Sequence, residues 1–115
     1  MIFEYDELKE CVTEDFERFY DMGFNAKQIF PAILKEYEHG EDYCQLENIC
    51  VHIFIALNYL ERGIKFDDIV EKLDALMENE MEEDIKDELG NQYTKFIADI
   101  LRIKSFLYTL NRSRD

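Results

Sequence analysis

The sequence predicts an all-α protein: a single compact bundle of four to six helices around a central apolar helix over about residues 43–62. Three observations predict it. In the stretch Ile49–Leu60, ten of twelve residues are apolar or aromatic, and they point to every side of a helix. A helix that is apolar all round is buried on most of its faces, and twelve residues fall short of the roughly 20 that a bilayer span needs. Elsewhere, apolar residues recur at spacings of three and four, the signature of one helical face. No useful length of chain shows the period-two alternation of a half-buried strand. A chain of 115 residues suits one domain, residues 1–115, and buries enough surface for a real core without staples.

The first helix is expected from about Tyr5 to Met22, with Leu8, Val12, Phe16 and Phe19 on its buried face and Gly23 as its terminator. The second opens with a capping box, Asn25 reaching forward and Gln28 reaching back, and Phe24 and Ile29 take the positions of a hydrophobic staple. Its apolar face is Ile29, Phe30, Ile33, Leu34 and Tyr37, and Gly40 ends it. Pro31 either kinks this helix or starts a new one at its first position. A second capping box, Asp42 to Gln45, opens the central helix, and Gly63 closes it after Arg62.

The fourth helix starts at Asp67, with Ile69, Val70, Leu73, Leu76 and Met77 as its buried stripe. The acid-rich run 78–88 contains only Met81 and Ile85 as apolar residues. Such a run repels itself, so a break near Asn79 and a short helix over 82–89 are favoured over one continuous helix. The last helix runs from about Gln92, or from before Gly90, to Leu110. Its broad apolar face comprises Tyr93, Phe96, Ile97, Ile100, Leu101, Ile103, Phe106, Leu107 and Leu110, and the tail 111–115 is expected to fray. Short connections make successive helices antiparallel.

The formal net charge is −14, which argues against direct nucleic-acid binding and against an anionic membrane, since both need clustered Lys and Arg. Residues 67–88 alone carry eleven acids against Lys72 and Lys86, while the balance from residue 100 onward is positive. Such charge keeps a protein soluble and steers a basic partner toward it. Met1-Ile2-Phe3 runs directly into Glu4 and Asp6, without the basic and apolar regions of a leader, so a cytoplasmic location is expected. Cys11, Cys44 and Cys50 are odd in number and lie among helix-periodic residues, which suits buried, reduced thiols.

No pattern points to catalysis, and neither a cofactor nor a metal is expected. Glu36 and His39 have the Glu-x-x-His spacing of di-iron bundles, but that site needs a second such motif. Cys44 and Cys50 project about 120° apart on a helix, and His52 about 160° from Cys44, which is poor for a shared metal. His52 reads as a core histidine. A cysteine nucleophile needs a positioned base, and the chain has two histidines. Tyr37, Tyr43 and Tyr59 are either interface aromatics or packing at helix edges.

An amphipathic first helix, Tyr5-Asp-Glu-Leu8 to Phe16-Glu-Arg-Phe19, is followed by Gly23-Phe24, by Ala32-Ile-Leu-Lys-Glu-Tyr-Glu38, by an acidic turn at Glu41-Asp42, and by an apolar helix closing with Leu60-Glu-Arg-Gly63. In this arrangement, over about residues 5–75, the chain resembles the immunity-protein-three family of bacterial polymorphic-toxin systems. The resemblance implies a non-enzymatic cytoplasmic protein that neutralises a cognate toxin, often a nuclease. An acidic ridge of Asp67, Asp68, Glu71, Asp74, Glu78, Glu80, Glu82, Glu83, Asp84, Asp87 and Glu88 is the expected contact with a basic toxin surface. Two alternatives stand beside it: a regulatory or phage anti-defence protein that mimics nucleic-acid charge, and a metal-dependent enzyme. The oligomeric state is left open.

Overall fold

The computed structural model describes residues 4–37, 45–64, 71–73, 75 and 82–112, with the main chain alone at 26, 45, 82 and 107–112. The elements are α1 (Tyr5–Asp21), α2 (Ala26–Glu36), α3 (Gln45–Glu61), α4 (Glu82–Leu89), a 3-10 turn (Gly90–Gln92) and α5 (Tyr93–Arg112). Residues 71–73 and 75 are also helical. No strand occurs among the described residues, so the all-α bundle is the fold. The radius of gyration is 14.0 Å, close to the roughly 13 Å of a compact chain this long.

All twelve residues of Ile49–Leu60 are buried, which makes α3 the rod around which the rest is laid. α1 and α5 make the most extensive contacts with it, and α2 a smaller one. Tyr5 meets Phe54 edge-on at 4.9 Å, and Phe16 meets Tyr59 edge-on at 5.0 Å. Rising numbers along α1 thus match rising numbers along α3, so the two helices run in the same sense. α2 returns antiparallel to α1, as Tyr37 reaches Asp15 and Glu36 reaches Arg18. The short connection before α2 enforces this return.

The local signals act where the sequence places them. Both hydrogen bonds of the Asn25–Gln28 capping box form, at 2.9 and 3.1 Å. Gly23 and Gly63 take positive φ, 92° and 73°, a conformation that costs glycine little. Each closes its helix by the paired bonds of a Schellman motif: Gly23 N–H to Tyr20 and Phe24 N–H to Phe19, then Gly63 N–H to Leu60 and Ile64 N–H to Tyr59. Phe19 and Phe24 stack at 5.1 Å across the first motif. Pro31 lies inside a continuous α2, so no new helix starts there. Asp42, Gly40, the helical start at Asp67, and the break near Asn79 lie outside the described residues.

Three expectations are corrected. Leu101 is 59% exposed, because it projects about 140° from Phe96 around the helix, beyond the core-facing arc. Asp99 occupies that arc instead and is buried. Cys11 is exposed while Cys50 is buried; position 11 is one residue off the Leu8–Val12–Phe16 face, and Cys44 lies outside the described residues. Residues Asn111 and Arg112 continue α5 rather than fraying.

Polar groups bind the starts of α1 and α5 together. Glu4 gives α1 no side-chain cap; the Tyr5 N–H donates instead to Oε1 of Gln92 in the 3-10 turn, at 2.6 Å. The Tyr5 hydroxyl donates to Asp99 at 2.6 Å, and Lys9 Nζ reaches both carboxylate oxygens at 3.0 and 3.1 Å. Burial and the Asp99 carboxylate raise the Tyr5 phenol well above the usual tyrosine range, so it stays a donor. Lys95 pairs with Asp6 beside them. At the other end, Arg62 lies over the rings of Phe16 and Tyr20, at 4.6 and 5.5 Å, and donates to Asn58. Asn58 in turn donates to the Phe54 carbonyl and to Thr13. Arg62 thereby covers apolar rings and the carbonyl end of α3 together.

Two substitutions test this packing by urea denaturation. Phe54→Ala removes a buried ring that touches Tyr5 and should cost about 3–5 kcal/mol. Asp99→Ala strands the buried Tyr5 hydroxyl and should cost about 1–3 kcal/mol; a loss no larger than that of an exposed substitution would mean the cluster is ornamental.

Candidate acidic interface

α4 is a short helix held down by Ile85 and Leu89, 4% and 1% exposed. Its packing partners are the 3-10 turn and α5. Glu83, Asp84, Asp87 and Glu88 are all exposed and share an arc of about 140° on the opposite side. Glu83 and Asp84 lie in the first turn, where the helix dipole favours carboxylates. The structure therefore brings four of the sequence-predicted contact residues onto one face. Glu71 is also exposed, in the helical residues 71–73, where Leu73 is buried. No hydrogen bond or ion pair among the described residues joins Glu71 to α4. Asp67, Asp68, Asp74, Glu78 and Glu80, and the Glu82 side chain, lie outside the described residues.

A second acidic face was not anticipated. Glu7, Glu10, Glu14, Glu17 and Asp21 recur at alternating spacings of three and four along α1, and all are exposed. At 100° per residue they fall within about 80° of one another, a ridge roughly 20 Å long. Among the described residues only Glu17 of this ridge forms an ion pair, with Arg62 at 3.8 Å. At the end of the ridge stand Tyr20 and Met22, 48% and 63% exposed. The signal was present in the sequence as the polar complement of the Leu8–Val12–Phe16 stripe. Charge density alone does not reveal it, because the denser acid run lies after Asp67.

The remaining candidates resolve into packing. Tyr59 is buried against Phe16. Tyr37 is half-buried and donates to Asp15 at 2.8 Å; burial and that carboxylate raise its phenol above the usual range. Tyr43 and His39 lie outside the described residues. Glu36, the first residue of the Glu-x-x-His pattern, pairs with Arg18 at 2.7 Å. His52 is buried in α3, as a core histidine should be. Among the described residues no three His, Cys, Asp or Glu side chains are grouped to hold a metal ion, and no helix is long and apolar enough to cross a membrane.

Comparison with protein-family models, with curated proteins and with solved structures finds no match.

Like charges one turn apart destabilise a helix by roughly 0.2–0.5 kcal/mol per pair, and the α1 ridge contains Glu10–Glu14 and Glu17–Asp21. Glu10→Gln should therefore raise stability by a few tenths of a kcal/mol in low salt. That gain should shrink as added salt screens the wild-type repulsion; thermal melts at two salt concentrations check both effects.

Proposed function

We propose that the protein is an immunity protein: it binds a basic toxin domain through its acidic helix faces and neutralises it by contact, without chemistry of its own. The observation that carries this reading is the one-sided acidic ridge of α1, which ends in exposed Tyr20 and Met22. Charges on such a ridge raise association rate and select the partner. Buried aromatic and Met anchors supply most of the affinity in protein interfaces. The acidic face of α4 offers the same chemistry on a second helix, in the stretch where the sequence places the contact. Many nucleases hold their substrate in basic clefts, so a nuclease domain is the toxin class that fits both faces. The arrangement of residues over about 5–75 that resembles immunity proteins supports the same reading.

The reading expects a toxin domain to be encoded in the neighbouring gene, and co-expression with that domain is the test. Wild type should restore growth and copurify with the toxin. Replacing Glu7, Glu10, Glu14 and Asp21 by Gln should slow association at low salt by about tenfold or more, whereas Tyr20→Ala should speed dissociation. The matching Gln set at Glu83, Asp84, Asp87 and Glu88 tells which face docks. No growth rescue by wild type would defeat the immunity reading. An association rate indifferent to both Gln sets would defeat its electrostatic part.

A further inference from the structure

We propose that His52 is an acid-operated latch: as a neutral ring it holds α2 on α3, and taking up a proton at Nε2 loosens α2 while α1, α3 and α5 stay packed. The inference is independent of the partner reading.

The ring is 1% exposed. Nδ1 lies 2.7 Å from the Asn48 carbonyl one turn back, and a carbonyl only accepts, so the neutral ring carries its proton on Nδ1. Nε2 is then the one basic lone pair, and it is buried without a hydrogen-bond partner. The ring meets Phe30 of α2 edge-on, centroids 5.4 Å apart. One α-helical face of α3, seven residues further along, carries Tyr59, whose phenol bonds the Phe30 main chain. Phe30 is thus clamped at two points, and one of them can titrate.

The surroundings oppose a charge on the ring. Burial lowers the basicity of His52 below the usual histidine value of 6.5; the Asn48 carbonyl pulls the other way, and Lys72 adds like-charge repulsion. Among the described residues no carboxylate offsets these effects. On α2, Lys27 and Lys35 are exposed and Glu36 is paired with Arg18. On α3 itself, Glu47 is half-buried and Cys50 buried. From the remaining packed stretch, 71–73, the charge that reaches the ring is that of Lys72. A protonated Nε2–H would therefore have no hydrogen-bond acceptor and would feel the repulsion of another cation. α2 yields first, because its contact with α3 is smaller than those of α1 and α5.

The sign follows from linkage. The closed state resists the proton and the open state accepts it near 6.5. The latch is fully effective above that value and weakens as pH falls below it, by up to tenfold in the opening equilibrium per pH unit.

Hydrogen exchange followed by mass spectrometry, corrected for the intrinsic pH dependence of exchange, tests this on the full chain. Between pH 7.5 and 5, peptides from 26–36 should gain up to tenfold in exchange per unit below 6.5, while those from 5–21 and 49–60 hold constant. In His52→Gln that pH dependence should vanish. A nuclear magnetic resonance titration of the wild-type imidazole, which needs no variant, should place its pKa below 6.5. The proposal is overturned by a native titration at or above 6.5, by uniform acceleration across all helices, or by a pH response that survives in His52→Gln.

Discussion

The burial of one helix on every side is the constraint from which the rest of this structure follows. An α3 that is apolar all round cannot be stable in water alone; each large apolar side chain it removes from solvent stabilises the fold by roughly 1.5–3 kcal/mol. Two long helices, α1 and α5, run along it and make its largest contacts. α1 must therefore be amphipathic, with its apolar stripe turned to α3. What remains outside is polar, and in this chain it is chiefly acidic. The surface that we propose for partner binding is thus the unavoidable complement of the core, sharpened by the near-absence of Lys and Arg from the outer arc of α1.

Burying α3 also traps polar groups, and each is handled differently. Asn58 is bonded to the Phe54 carbonyl, Thr13 and Arg62. Asp99 is bonded to Tyr5 and Lys9. These two bind helices far apart in sequence into one arrangement. Among the described residues only His52 keeps a buried nitrogen unmatched, which makes it the point where acid finds purchase.

Much of the fold was legible because its signals are local. The capping box at Asn25 and Gln28, the glycine stops at 23 and 63, and the apolar run at 49–60 all depend on neighbours within one or two turns. What stayed hidden depends on tertiary contact. Gln92 caps α1 from across the bundle, and Asp99 takes a core position because Tyr5 and Lys9 meet it there; no local pattern announces either. Leu101 was misplaced because a helix rich in apolar residues leaves the edge of its buried arc ambiguous. Among the candidate contact residues, charge density pointed to α4 and the stretch before it. The ridge of α1 needed angular position rather than density, a quantity the sequence does contain.

The central claim is that α3 is the last part of the molecule to open. Native-state hydrogen exchange at neutral pH, measured residue by residue across increasing urea, addresses it directly. Amides of 49–60 should exchange only through global unfolding, with an opening free energy equal to that from denaturation and no smaller than any in α1, α2 or α5. Amides of 49–60 that open more readily than those of α1 or α5 would contradict the account at its root.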